Sequence, residues 1–246
     1  MRAEPVPDVP ALLLKGRKKW VCVADLHMGI EVQLRRAGFN IPSQSGKMLS
    51  TLERLASDGD GLVMLGDVKH RIPGLSNREN KEIPPLMSRL AELYREIIVV
   101  AGNHDGGLAT ALPDSVKAVT GGGMAIEDLG LCHGHVWPSK SAMEGAKLVM
   151  GHVHPAVLLV DSIGSKTSEK CWARGTLRKD VASQRYERCP EELIIMPAFN
   201  PLLTGTPVNS RRHAYLGPIL RNGLLDEDSL TVYLLDGTNL GHMPPV

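Results

Sequence analysis

One pattern constrains this chain more than any other. Five times, a short apolar run leads directly into side chains able to bind a metal. The runs at 21–24, 62–65, 97–100, 129–132 and 148–150 end in five polar motifs. These are Asp25-Leu26-His27, Gly66-Asp67-Val68-Lys69-His70, Gly102-Asn103-His104-Asp105, His133-Gly134-His135 and Gly151-His152-Val153-His154. Apolar runs this short, bounded by turn residues, read as buried strands. The polar residues then fall at strand ends, on a rigid frame. In Asp25-x-His27 and His152-x-His154 the paired side chains share one face of an extended chain, so each pair can address one cavity. Gly66, Gly102 and Gly151 allow tight turns beside it. Each motif alone is a plausible surface turn. Seven of the nine histidines in five such motifs point to a single site.

The rest of the chain supplies a frame of α/β class. A strand is expected at 12–14. Met48, Leu49, Leu52, Leu55 and Ala56 recur at helical spacing. So do Ile83, Leu86, Met87, Leu90, Leu93 and Tyr94, with Pro84 and Pro85 tolerable only in that helix's first turn. Beyond residue 120 the pattern is mostly strands, at 124–126, 157–160, 193–196 and 230–235. An early strand–helix–strand half and a later strand-rich half predict two sheets packed face to face with helices outside. The 246 residues suit one domain, 1–246. Residues 161–190, poor in apolar positions, read as a flexible basic insertion.

Composition excludes several classes. Lys plus Arg is 28 and Asp plus Glu 27, which rules out a basic coat or an acidic tail over the whole chain. No apolar run reaches the ~20 residues of a membrane helix. The start, MRAEPVPDVPALLL, lacks the pattern of a secretory leader, so a cytoplasmic protein is expected. Cys22 and Cys132 sit in strand-like runs as buried thiols. Cys171 and Cys189 lie in a polar stretch where a bridge is conceivable but disfavoured in a reducing compartment. His213 and His242 belong to no motif and read as surface positions.

The ordered set Asp-x-His, Gly-Asp, Gly-Asn-His-Asp, His and Gly-His-x-His, spanning residues 25–154, resembles the calcineurin-like metallophosphoesterase superfamily. The wording DLHMG and GDVKH is similar to its SbcD-like repair-nuclease branch. The short chain and the late IIMPAFNPLLTG are similar to compact archaeal and bacterial phosphoesterases, some associated with DNA ligases and helicases. The resemblance implies a four-layer αββα sandwich of two mixed sheets. It implies a dinuclear site in which Asp25, His27 and His154 hold one metal, Asn103, His133 and His152 hold the other, and Asp67 bridges them. The choice of His133 over His135 rests on the resemblance alone.

Oxygen and imidazole donors without thiolate suit two divalent ions, Mn²⁺ first, Fe or Zn²⁺ next. Two such ions, two carboxylates and a bridging hydroxide leave a charge of about +1, which attracts a phosphoester. The resemblance places His104 over the leaving group as a proton donor, with Asp105 fixing its tautomer. His70 would contact phosphate or His104, or cap the turn.

The expected activity is hydrolysis of phosphodiesters by the hydroxide. The alternative is a nuclease in DNA or RNA repair. A non-catalytic scaffold is remote, because every ligand position is filled. The nuclease reading draws on the seven basic and three acidic residues of 166–188, a local excess of +4. Arg174, Arg178 and Lys179 are its expected phosphate contacts.

Overall fold

The structure, a computed structural model, describes residues 1–210 and 216–242. His213 therefore lies outside the described residues. The strands up to Val119 form one sheet in sequence order: β1 (Arg2–Pro5), β2 (Ala11–Lys15), β3 (Lys19–Val23), β4 (Gly61–Leu65), β5 (Glu96–Val100) and β6 (Val116–Val119). The β1–β3 part is antiparallel and β3–β6 are parallel.

The second sheet holds β7 (Met124–Ile126), β8 (Leu129–Cys132), β9 (Lys147–Met150), β10 (Pro155–Val160), β11 (Lys166–Thr176), β12 (Glu192–Ile195) and β13 (Thr206–Pro207). Its order is β13-β10-β11-β12-β9-β8-β7. β14 (Thr231–Leu234) pairs with β11, and β15 (Asn239–Gly241) with β14. β8, β9 and β12 run parallel.

Alternation of side chains along the strands builds the layers. Trp20, Cys22 and Ala24 face inward and meet Leu131, Val149, Trp172 and Ile194 of the second sheet. Val21 and Val23 face outward, beneath α2 (Ser45–Leu55) and α3 (Asn77–Leu93); α1 (Ile30–Arg36) precedes them in the chain. The outer face of the second sheet packs on α4 (Lys140–Met143), α5 (Lys179–Ala182) and α6 (Gly217–Arg221). The result is the four-layer αββα sandwich. The four cysteines are free, and three of them, Cys171 included, are buried.

Two expectations need correction. α3 begins well before its prolines, so Pro84 and Pro85 stand in its interior. Ser76 caps it in a capping box with Glu79, and Ile83, Leu86, Met87 and Leu90 bury its inner face. Those gains outweigh the two missing amide donors.

Residues 161–190 are not a flexible insertion. Residues 161–165 are only a hairpin tip, and β11 then crosses the second sheet between β10 and β12. Cys171, Trp172 and Ala173 are fully buried there. Its few apolar residues are concentrated where the strand crosses both cores, which averaging over thirty residues concealed.

Candidate metal centre

The parallel strands β3, β4 and β5 and the parallel strands β8 and β9 bring their C-terminal ends to one rim. All five polar motifs leave the sheets there. Backbone pairing continues past the strand ends: the Asp25 N–H reaches Gly66 O at 3.1 Å and the His27 N–H reaches Asp67 O at 2.7 Å. The two sheets are tied across the rim, because the His152 N–H donates to Asp25 Oδ2 at 2.9 Å.

Backbone conformation marks this rim out. Among the described residues seven non-glycine positions have positive φ, and five of them are Asp25 (59°), His27 (40°), Asp67 (51°), His152 (68°) and His154 (49°). A left-handed residue with a Cβ costs on the order of 1–3 kcal/mol. Such strain, gathered on five chemistry-bearing residues, aims their side chains into one space. Gly66 and Gly102 permit the crowding. A Cβ on Gly66 would overlap the His133 ring, and one on Gly102 the Asp67 carboxylate.

Donor atoms gather in three groups, each within 4.8 Å. They are Asp25, His27 and His154; Asp67, His133 and His152; and His27, His70 and His104. Asp67, a member of the second, also faces the first, with Oδ2 3.4 Å from His27 Nε2 and 3.5 Å from His133 Nε2. Asn103 Oδ1 lies 3.2 Å from His133 Nε2. The His133 Nδ1–H donates to Leu65 O at 2.7 Å, which turns Nε2 toward Asp67. His135 stays outside these groups, its ring 5.0 Å from that of His133.

The electrostatics fit a cation. Burial works to raise the Asp25 and Asp67 carboxyls, yet the facing histidines pull both well below the usual range. Burial lowers His27 to about 3 and, helped by the charge of His133, lowers His152 to about 4. Both are neutral at physiological pH, with a ring nitrogen able to accept a cation. Burial also opposes charge on His133, but Asp67 and Asp25 overcome it and hold this imidazole at about 9. A proton thus collects where the carboxylates demand positive charge. The Nε2 atoms of His27 and His154 are buried and make no well-formed hydrogen bond, although each faces a carboxylate oxygen, Asp67 Oδ2 at 3.4 Å and Asp25 Oδ1 at 3.2 Å. Burying a polar atom this way is costly unless a ligand satisfies it. The donor set and these nitrogens fit divalent metal ions.

His104 and His70 form a stacked pair at the edge, with ring centroids 5.3 Å apart at 26°. His104 Nε2 looks inward, 4.0 Å from Asp67 Oδ2, and its backbone N–H donates to Asp67 Oδ1 at 2.8 Å. The expected role of Asp105 is not seen. Its carboxylate accepts the backbone N–H groups of Gly102 (2.8 Å) and Lys69 (3.3 Å), closing the loop rather than orienting His104. The His104 ring is instead held through Nδ1 by the His70 carbonyl.

Arg174, Arg178 and Lys179 are not brought to this rim. β11 is antiparallel to β12, so Thr176 pairs with Glu192 at the start of β12, the opposite end of the sheet. There Arg174 pairs with Glu192, Arg178 with Asp180 at 3.0 Å, and Lys179 with Glu191 at 3.5 Å. His242 is a surface residue with Nδ1 3.3 Å from Leu230 O.

Three residues escape sequence reasoning. Lys69 is fully buried, and its ammonium bridges the carbonyls of Arg71 and His104. Asn200 is fully buried and clamps the first loop, with Nδ2 2.7 Å from Leu26 O. Lys170, lowered to about 8 by burial, donates to the carbonyls of Ala198 and Asn200 and so braces that clamp. The segment PAFNPLLTG carried a signal for Asn200; nothing in GDVKH announces a buried lysine.

Comparison with known proteins agrees with the geometry. Residues 19–179 match the family model described as calcineurin-like phosphoesterase. No curated protein matches the chain by sequence. Among solved structures the chain is similar to Pseudomonas putida nuclease MPE, at 18% identity and a TM-score of 0.59, over 97% of this chain and 100% of that one. It is also similar to Yfce, a phosphoesterase from E. coli, at 17% identity and a TM-score of 0.40, over 92% of this chain and 99% of that one.

Proposed function

The chain belongs to the calcineurin-like phosphoesterase family, and on that premise we propose that it hydrolyses phosphodiesters at a dinuclear metal centre on the strand-end rim. The family and the donor groups make it a metal-dependent phosphoesterase. The observation that carries the finer reading is that Asp67, itself in one donor group, lies within 3.5 Å of an imidazole of each.

Asp25, His27 and His154 would hold one ion. Asn103, His133 and His152 would hold the other, with Asp67 shared. When bound, a pair of divalent ions neutralises phosphoryl charge and lowers the pKa of water, so that a nucleophile is available near neutral pH. The oxygen and imidazole donor set favours Mn²⁺, with Fe or Zn²⁺ as alternatives.

The side chains around it have separable tasks. His104 gives a proton from Nε2 to the departing alkoxide, a role worth ~10²–10⁴ in rate. The His70 carbonyl keeps the other ring proton on Nδ1, so the donating nitrogen faces the centre. Asn103 adds a neutral oxygen without another negative charge, which leaves the site net positive toward an anionic diester.

The experiment is hydrolysis of bis(4-nitrophenyl) phosphate by protein reconstituted with Mn²⁺. Turnover that a chelator abolishes and Mn²⁺ restores supports the reading; turnover indifferent to both contradicts it.

A nuclease is the more specific form of this reading. The similarity to nuclease MPE over nearly the whole chain favours it, as do two exposed arginines, Arg36 and Arg71, which line a cavity that His104 also borders.

A further inference from the structure

A cavity of about 480 Å³ opens beside the metal centre, and neither of the two ligand groups assigned above accounts for it. Such a volume suits a ligand the size of one nucleotide unit. His104 and His70 form its boundary with the centre. Val32, Gln33, Arg36, Arg71 and Ile72 are among the residues that line the rest of it. Residues 29, 32, 33 and 36 of α1 and its entry recur at helical spacing, so they line the cavity as one face. Gln33 Oε1 meets His70 Nε2, which docks this face on the histidine pair.

The charge of the cavity is uncompensated. Among the described residues, neither the Arg36 nor the Arg71 guanidinium has a carboxylate within ion-pair distance. Glu79 touches the Arg71 loop, but its carboxylate is taken up by backbone N–H groups. Glu79 is 1% exposed and accepts the backbone N–H groups of His70 (2.9 Å), Arg71 (2.8 Å) and Ser76 (2.5 Å). It therefore shapes the Arg71 loop through its backbone and makes no ion pair with the guanidinium. Beside the two arginines, the Ile72 side chain is 58% exposed, an apolar surface at the same mouth. Two unpaired guanidinium groups and an apolar shelf, next to a phosphoester-hydrolysing centre, are a recognition set for a phosphate carrying a sugar or base.

We infer that this cavity is a second phosphate subsite, in which Arg36 and Arg71 hold the phosphodiester that flanks the scissile one on the His104 side. Ile72 packs on the intervening nucleoside. The inference rests on the phosphodiesterase reading and adds a substrate class: chains with at least two phosphodiesters.

The test compares wild type, Arg36→Gln/Arg71→Gln, and the control Arg89→Gln, whose side chain pairs with Glu53 and Glu92 on the outer helices. Binding of a fluorescent oligothymidylate is measured by anisotropy across a salt series in the presence of chelator, so that nothing is cleaved. Hydrolysis of the same oligonucleotide and of bis(4-nitrophenyl) phosphate is measured with Mn²⁺. The double variant should bind the oligonucleotide about 10-fold or more weakly. Its slope of log affinity against log salt should fall by about 1.4, two contacts at ~0.7 each for a single strand. Its ratio of kcat/KM for oligonucleotide over aryl diester should drop in parallel. Arg89→Gln should match wild type.

Unchanged affinity and slope in the double variant overturn the subsite, whatever the hydrolysis. If wild type binds the oligonucleotide through these arginines but hydrolyses neither compound with Mn²⁺, the subsite stands and the phosphodiesterase reading fails. Both guanidinium groups are exposed and unpaired, so the substitutions leave the fold intact; equal melting temperatures check this.

Discussion

The two ends of the sandwich use charge in opposite ways. At the far end, where β9, β11 and β12 present Lys147, Arg174 and Glu192, every cation named has an acid beside it. Lys147 lies 2.6 Å from Glu192, Arg174 shares that carboxylate, and Arg178 and Lys179 have Asp180 and Glu191. At the strand-end rim the charges are left unbalanced. Two carboxylates are buried against imidazoles, a ring nitrogen of each of His27, His135 and His154 is buried without a hydrogen bond, and among the described residues two guanidinium groups have no acid within ion-pair distance. The backbone follows the same division, with left-handed strain gathered at the rim. Charge that is already paired stabilises the frame modestly; charge held unpaired, at a cost in strain and desolvation, is available to a ligand.

The contrast can be broken from either end. The largest effect should come from Asp67→Asn. Loss of a partner behind a metal ligand costs about 10–100-fold, so loss of a carboxylate shared by two groups should lower turnover by more than about 10²-fold. Steady-state hydrolysis of the aryl diester at saturating Mn²⁺ measures it. Next is His104→Ala, expected to lower turnover by ~10²–10⁴ for an alkoxide leaving group and much less for nitrophenolate. Equal losses for both leaving groups would mean that His104 binds phosphate rather than protonating the product.

Glu79→Ala sharpens the comparison in another way. It strips three backbone donors of a buried carboxylate, and should cost about 3 kcal/mol in urea denaturation. The wild-type Glu79 carboxyl is held low by those N–H groups against the effect of burial. Its folded pKa is below its unfolded one, so its contribution is present above about pH 4.5 and is lost as pH falls through the folded value. The stability gap between wild type and Glu79→Ala should narrow in acid.

The smallest effect belongs to the far end. Replacing Arg174, Arg178 and Lys179 together with Ala should leave oligonucleotide affinity and its salt slope unchanged, because these side chains are paired with acids at the opposite end of β11. A fall in the slope would undo the contrast.

What the sequence revealed follows the same physics. The five apolar runs with polar endings located the rim, because strand length and side-chain alternation are local properties. Asp25, His27, Asp67, His152 and His154 were legible as motif residues at those endings, but the extended-chain alternation expected of the Asp25/His27 and His152/His154 pairs does not hold, because all five residues lie past the strand ends with positive φ. The roles of Asp105 and Lys69 were not legible, since they depend on which loop lies opposite. Asp105 looked like an orienting acid by adjacency, but its carboxylate is turned to the amides of Gly102 and Lys69. Arg174, Arg178 and Lys179 misled because a charge count does not include the partner strand, and Glu192 is paired across from Thr176 only in the folded sheet. Arg36 and Arg71 went unnoticed because they are 35 positions apart and meet only across the cavity.

The central claim is that Asp67 joins two metal positions. Metal content after reconstitution with Mn²⁺ and removal of excess ion, measured by elemental analysis on wild type and Asp67→Asn, tests it most directly. The account predicts about two ions per chain in wild type and a marked loss at both positions in Asp67→Asn. A wild-type protein that retains no metal, or an Asp67→Asn variant that retains the full wild-type content, would contradict it.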